Sequence, residues 1–232
     1  MGVRKDATAI GWLGKALAGI RTGRWRGLEP LARAAIFEPV LKEVVAMAEI
    51  RREDNVALLG AADLRPVPWI APGCRELIVV DDLPEAALAS LQAEHRAKGA
   101  GNVRFLWGPA ERLPVPQYTV DRVLSVNHLF RARDPRVAAA QIGFVGRHGT
   151  TIVCCEPSAS LDSRTARKYS READLGMEEH RALIAYARSA GAWRSFTREG
   201  LASLLEEAGA EGVRVRDLMH GLVVAATATI AL

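Results

Sequence analysis

From Asn55 to Asp82 the chain reads NVALLGAADLRPVPWIAPGCRELIVVDD, and no other stretch restricts its fold as tightly. Two short apolar runs, Val56–Leu59 and Leu77–Val80, are bounded by turn residues, the pattern of parallel strands buried on both faces. Gly60 follows the first run, and Asp81 and Asp82 close the second. In a nucleotide-binding βαβ unit the first turn lets backbone approach the ligand. An acid about 20 residues later accepts hydrogen bonds from the ribose hydroxyls. The interval from Gly60 to Asp81 fits that arithmetic.

The order of segments downstream extends the pattern. A Val103–Leu106 strand runs into Trp107-Gly108-Pro109-Ala110-Glu111, a strand over Val120–Val126 ends on Asn127 and His128, and Asp134-Pro135 opens a helix that runs to Gly146. A Thr151–Cys155 strand then leads to Glu156-Pro157, Thr197 starts the last helix, and Val213–Leu218 and Leu222–Thr227 close the chain as a hairpin turning at His220-Gly221. Over about residues 52 to 230 this order resembles the class I S-adenosylmethionine-dependent methyltransferases, particularly the ubiquinone/menaquinone-type small-molecule group. The resemblance implies an α/β, Rossmann-like fold. Its seven-stranded sheet would be mostly parallel with an antiparallel closing strand, helices on both faces and an N-terminal helical extension over 1–51.

It also implies a site. Gly60, Ala61, Ala62 and Asp63 would form the cofactor turn, with Asp81 and Asp82 at the ribose, Pro109 and Ala110 at the adenine, and Asn127 beside the reacting end. His128, at the carboxyl end of its strand, is the candidate general base, because an imidazole ordinarily titrates near neutral pH. An insertion over 158–195 would form a substrate lid, so Glu156, Tyr169, His180 and Tyr186 join His128 as candidates for lining the substrate cavity. The cofactor implied is S-adenosylmethionine and the partner a small-molecule substrate, with the N-terminal helices available for a homodimer or a protein partner.

Several positions depart from the family's pattern. Leu58 replaces an acid, Ala62 and Leu64 replace the second and third glycines, and Pro109 replaces the adenine-binding acid. Pro66 and Pro68 remove two N–H donors from the helix after the turn. A second reading is therefore a methyltransferase-fold protein that no longer methylates and serves as a partner subunit, ligand sensor or non-methylating enzyme. A third is an RNA-directed protein using the basic loop Arg21–Arg26.

Composition narrows the remaining classes. The chain has 232 residues, 49% apolar and 25% charged, enough for one α/β domain with a sizeable core. A net charge of +4 permits an anionic partner without demanding one, and nucleic acid is not the favoured one. Cys74, Cys154 and Cys155 have no metal-ligand spacing, so no metal site is expected and the three read as core residues. Before the sheet, Trp12, Leu13, Ala16, Leu17 and Ile20 make one face of a helix over Ala7–Ile20, and Glu29-Pro30 opens a second that Pro39 kinks or divides. Leu31, Ala34, Ala35, Leu41, Val44, Val45 and Ala48 would be its buried face. Lys15 interrupts the first apolar stretch, which argues against a signal peptide and makes the cytoplasm the expected location.

Overall fold

A computed structural model describes residues 34–60 and 64–231. The expected Ala7–Ile20 helix, the Arg21–Arg26 loop, the helix opening at Glu29-Pro30, and Ala61, Ala62 and Asp63 lie outside the described residues.

Seven strands form one sheet: β1 (Asn55–Leu59), β2 (Glu76–Asp81), β3 (Val103–Trp107), β4 (Val120–Val126), β5 (Gly146–Pro157), β6 (Ala210–Leu218) and β7 (Val223–Ile230). Their order across the sheet is β3-β2-β1-β4-β5-β7-β6. Five neighbours, β3 to β5, pair in parallel, and β7 runs antiparallel to both β5 and β6. This is the expected mostly parallel sheet with its antiparallel closing strand. The central strands are apolar throughout because both faces are covered; Val56 to Leu59 and Leu77 to Val80 are all buried.

The helices are α1 (Glu38–Met47), α2 (Val67–Ile70), α3 (Glu85–Ala97), α4 (Pro135–Val145), α5 (Ser163–Glu172), α6 (Met177–Ala192) and α7 (Arg198–Glu207). Local chemistry sets their starts. The Asp134 carboxylate accepts from the N–H groups of Arg136 and Val137 at 2.9 and 3.3 Å, Asp162 and Thr165 form a reciprocal capping box, and Thr197 accepts from Gly200. Pro39 sits in the first turn of α1, after a 3-10 turn over Ala35–Phe37, so it divides the segment. Ala34, Leu41, Val44 and Ala48 are buried as expected; Ala35, on the 3-10 turn, is exposed, and Val45, beside the buried stripe of α1, is half-buried. Pro66 and Pro68 confine α2 to four residues. The strand predicted at Thr151–Cys155 begins five residues earlier and the closing strands run longer than the hairpin pattern implied.

Buried Phe37, Leu41 and Val44 of the α1 segment belong to the same apolar core as the sheet. No helix among the described residues is long and apolar enough to cross a membrane.

Candidate functional site

The strand order reverses between β1 and β4: from β1 the chain moves outward through β2 to β3, then returns to lay β4 and β5 on the other side. Ligands of open parallel sheets bind outside the carboxyl ends of the strands at such a point. Gly60 leaves β1 there with φ +95°, its N–H donating to the Val80 carbonyl at 3.1 Å. A Cβ at Gly60 would run into the Val126 carbonyl oxygen of β4 and stand 3.6 Å from the His128 Cβ. The glycine is thus demanded by the close approach of β4, whether or not a ligand binds. Gly60 and Asp81 end neighbouring strands, as their spacing in the sequence predicts.

Asp81 is fully buried and holds a cation from elsewhere in the chain. The Arg131 guanidinium donates to its Oδ2 at 3.2 Å and approaches Asp82 Oδ1 at 3.7 Å, while Arg131 Nε donates to the Asn127 carbonyl at 2.9 Å. Arg131 itself is only 4% exposed. Sequence reasoning missed this residue. The available signal was a single arginine inside the apolar run Leu129-Phe130-Arg131-Ala132, placed just past the end of β4, where a solvated side chain has no room.

The turn carrying Arg131 is itself anchored. The Glu156 carboxylate, buried at the end of β5, accepts from the backbone N–H groups of His128, Leu129 and Phe130 at 3.2, 2.9 and 3.1 Å. Burial pushes Glu156 up to about 7, against the opposing pull of those donors and of Arg131. Asn127, at φ +50°, accepts from the buried Tyr186 hydroxyl at 2.6 Å and donates its own N–H to the Cys155 carbonyl at 2.8 Å. Asparagine tolerates that left-handed conformation better than most side chains. Glu156 and Tyr186 were expected to line the substrate cavity. Both are fully buried, with their oxygens turned to the loop after β4, and Tyr186 packs edge-on against Phe37 and Phe130.

His128 stands beside Gly60 at the switch point, as its place in the sequence predicts. Burial first, and then the neighbouring Arg131 charge, push the ring down to about 3, so it is neutral at physiological pH and a weak proton acceptor. Its Nε2 is buried and makes no hydrogen bond among the described residues. Tyr169 packs against His220 at 5.4 Å, and His180 lines a cleft on the α5–α6 hairpin. Cys74, Cys154 and Cys155 are buried thiols, each pushed up by burial, Cys74 to about 11. Among the described residues no cluster suits a metal ion.

S-adenosylmethionine asks this site for a carboxylate at the ribose and for adenine contacts after β3. Asp81 and Asp82 stand at the carboxyl end of β2, Trp107 at the end of β3 is 46% exposed, and Ala110 is half-buried. Pro109 offers a carbonyl, which already accepts from the Arg112 N–H. A ribose at this strand end would share Asp81 with Arg131, which donates to Oδ2 at 3.2 Å, or take Asp82.

No family model matches the chain, and no curated protein matches it in sequence. Solved structures do match in fold. An S-adenosylmethionine-dependent methyltransferase from Aquifex aeolicus superimposes with TM-score 0.61 at 16% identity over 94% of this chain and 98% of the other. The [4+2]-cyclase SpnF matches with TM-score 0.62 at 13% identity over 84% and 81% of the two chains. A chain from the complex of the Haloferax volcanii Trm112 methyltransferase activator matches with TM-score 0.63 at 13% identity over 96% and 95%. Strand order, closing strand and superpositions agree: the chain has the Rossmann-like fold of the class I S-adenosylmethionine-dependent methyltransferases.

Proposed function

We propose that the chain is a cytoplasmic S-adenosylmethionine-dependent methyltransferase acting on a small molecule. The observation that carries this reading is the placement of His128, with an unsatisfied buried Nε2, against the Gly60 turn at the switch point, one strand from Asp81. Asp81 and Asp82 would hold the ribose and Trp107 with Ala110 the adenine. When bound, the cofactor supplies an electrophilic methyl group. The chain's own contribution is alignment, because holding two reactants in line removes much of the barrier to transfer. His128 serves that alignment as a neutral polar partner for the acceptor molecule, and Tyr186, Glu156 and Asn127 fix the loop on which it stands. A second copy or a protein partner belongs to the same reading, in keeping with a fold neighbour taken from an activator complex.

A second reading is favoured by one specific observation, the fully buried Asp81–Arg131 pair. If Arg131 never leaves, the fold is a scaffold without methyl transfer, and a fold shared with a [4+2]-cyclase shows that the architecture does not fix the reaction.

Calorimetric titration with S-adenosylmethionine and its demethylated product separates the two. Binding by the native chain that is abolished in Asp81→Ala supports the methyltransferase reading; binding gained only in a folded Arg131→Met variant shows that the native arginine stays on Asp81 and supports the scaffold. Failure of both the native and the Arg131→Met chains to bind at millimolar cofactor removes it in favour of the scaffold.

A further inference from the structure

Helices α5 and α6 form a hairpin whose outer side holds a cleft of about 340 Å³, lined by Arg167, His180, Arg181, Ile184, Ala185 and Arg188. At about 100° per residue around α6, this face lies nearly opposite Tyr186, the residue that ties the helix to Asn127. The cleft is therefore separate from the strand-end site. Its chemistry is lopsided. Arg167, Arg181 and Arg188 are exposed, and the one acid at helical ion-pair spacing from any of them is Glu178, three residues before Arg181. Among the described residues none of the three makes a side-chain hydrogen bond or ion pair, whereas Lys168 on the flank is paired with Glu172. The hairpin's acids, Glu172, Asp174, Glu178 and Glu179, gather around the turn between the helices.

We propose that this cleft is a binding site for a small phosphate-bearing anion of the diphosphate class. Three guanidinium groups facing one space repel one another, and a multiply charged anion relieves that repulsion while offering oxygens to their N–H forks. Arg181 and Arg188 are two turns apart, about 10.5 Å along the axis, a span that a diphosphate and two extended side chains cover together. The Ile184 and Ala185 floor suits the organic part of such a ligand. Arg167, Arg181 and Arg188 converge on one cleft of about 340 Å³, which favours a compact anion over a long nucleic acid.

The test is calorimetric titration of the full chain with inorganic pyrophosphate at constant ionic strength near 0.1 M, where charges farther apart than about 10 Å are screened. One saturable site is expected. Arg181→Ala should weaken it about tenfold and Arg181→Ala with Arg188→Ala about a hundredfold, while Arg164→Ala, on α5 outside the cleft, leaves it unchanged. Unchanged affinity in the double variant overturns the proposal, and so does an equal loss in Arg164→Ala, which would mark a diffuse charge effect. Tighter binding of a single-stranded RNA oligonucleotide that is sensitive to the same substitutions would replace it with a nucleic-acid face. Arg164, Arg181 and Arg188 are exposed, so the arginine variants keep the fold, checked by circular dichroism. The site does not depend on methyl transfer, and its failure leaves that reading standing.

Discussion

Two glycines separate backbone strain from crowding at single residues. Gly60 and Gly99 both have positive φ, +95° and +83°, but only at Gly60 would a Cβ meet another strand; nothing lies within 4 Å of one at Gly99. Gly99→Ala should cost only the left-handed conformation, about 1–2 kcal/mol. Gly60→Ala adds displacement of β4, for a total of about 2–5 kcal/mol. Urea unfolding midpoints measure both, and equal losses would show that Val126 yields without cost. The same crowding bears on function, since a shift at Val126 moves His128 away from the turn.

Among the elements, helix α6 and the turn after β4 are coupled by a hydrogen bond from the Tyr186 hydroxyl to Asn127 Oδ1. Tyr186→Phe keeps the ring packing against Phe37 and Phe130 and leaves a buried acceptor without its donor. The expected loss is about 1–3 kcal/mol in urea unfolding. Faster amide exchange of Arg131, whose N–H donates to the His128 carbonyl at 3.3 Å, should accompany it. A variant as stable as the parent, with unchanged exchange at Arg131, would show that the turn stands on Glu156 alone.

For the molecule as a whole, two buried groups make stability depend on pH with opposite signs. Glu156 has its folded value raised from 4.5 to about 7, so its contribution is full below about 4.5 and disappears as pH rises to about 7. His128 has its folded value lowered from 6.5 to about 3; its contribution is full above about 6.5 and disappears as pH falls toward about 3. Between about 4.5 and 6.5 the two slopes oppose each other. A thermal-unfolding series should therefore show His128→Asn losing stability as pH rises through that window and Glu156→Gln gaining it; identical slopes in the two variants would contradict the assignment.

At the same scale, what the sequence could and could not specify is plain. Strand positions, the Asp134 and Thr197 caps, the closing hairpin and the adjacency of Gly60 to Asp81 were legible, because apolar periodicity, turn residues and strand spacing act over a few residues or one βαβ unit. The partner of Asp81 was not, since Arg131 lies 50 positions away and meets it only when β4 is laid beside β1. Nor were the burial of Glu156 and of Tyr186, whose hydroxyl crosses 59 positions to Asn127, because residue type does not say which way a side chain faces once distant elements pack. Local pattern fixed the architecture and the candidate strand ends; only tertiary packing decided that Asp81 meets an internal cation.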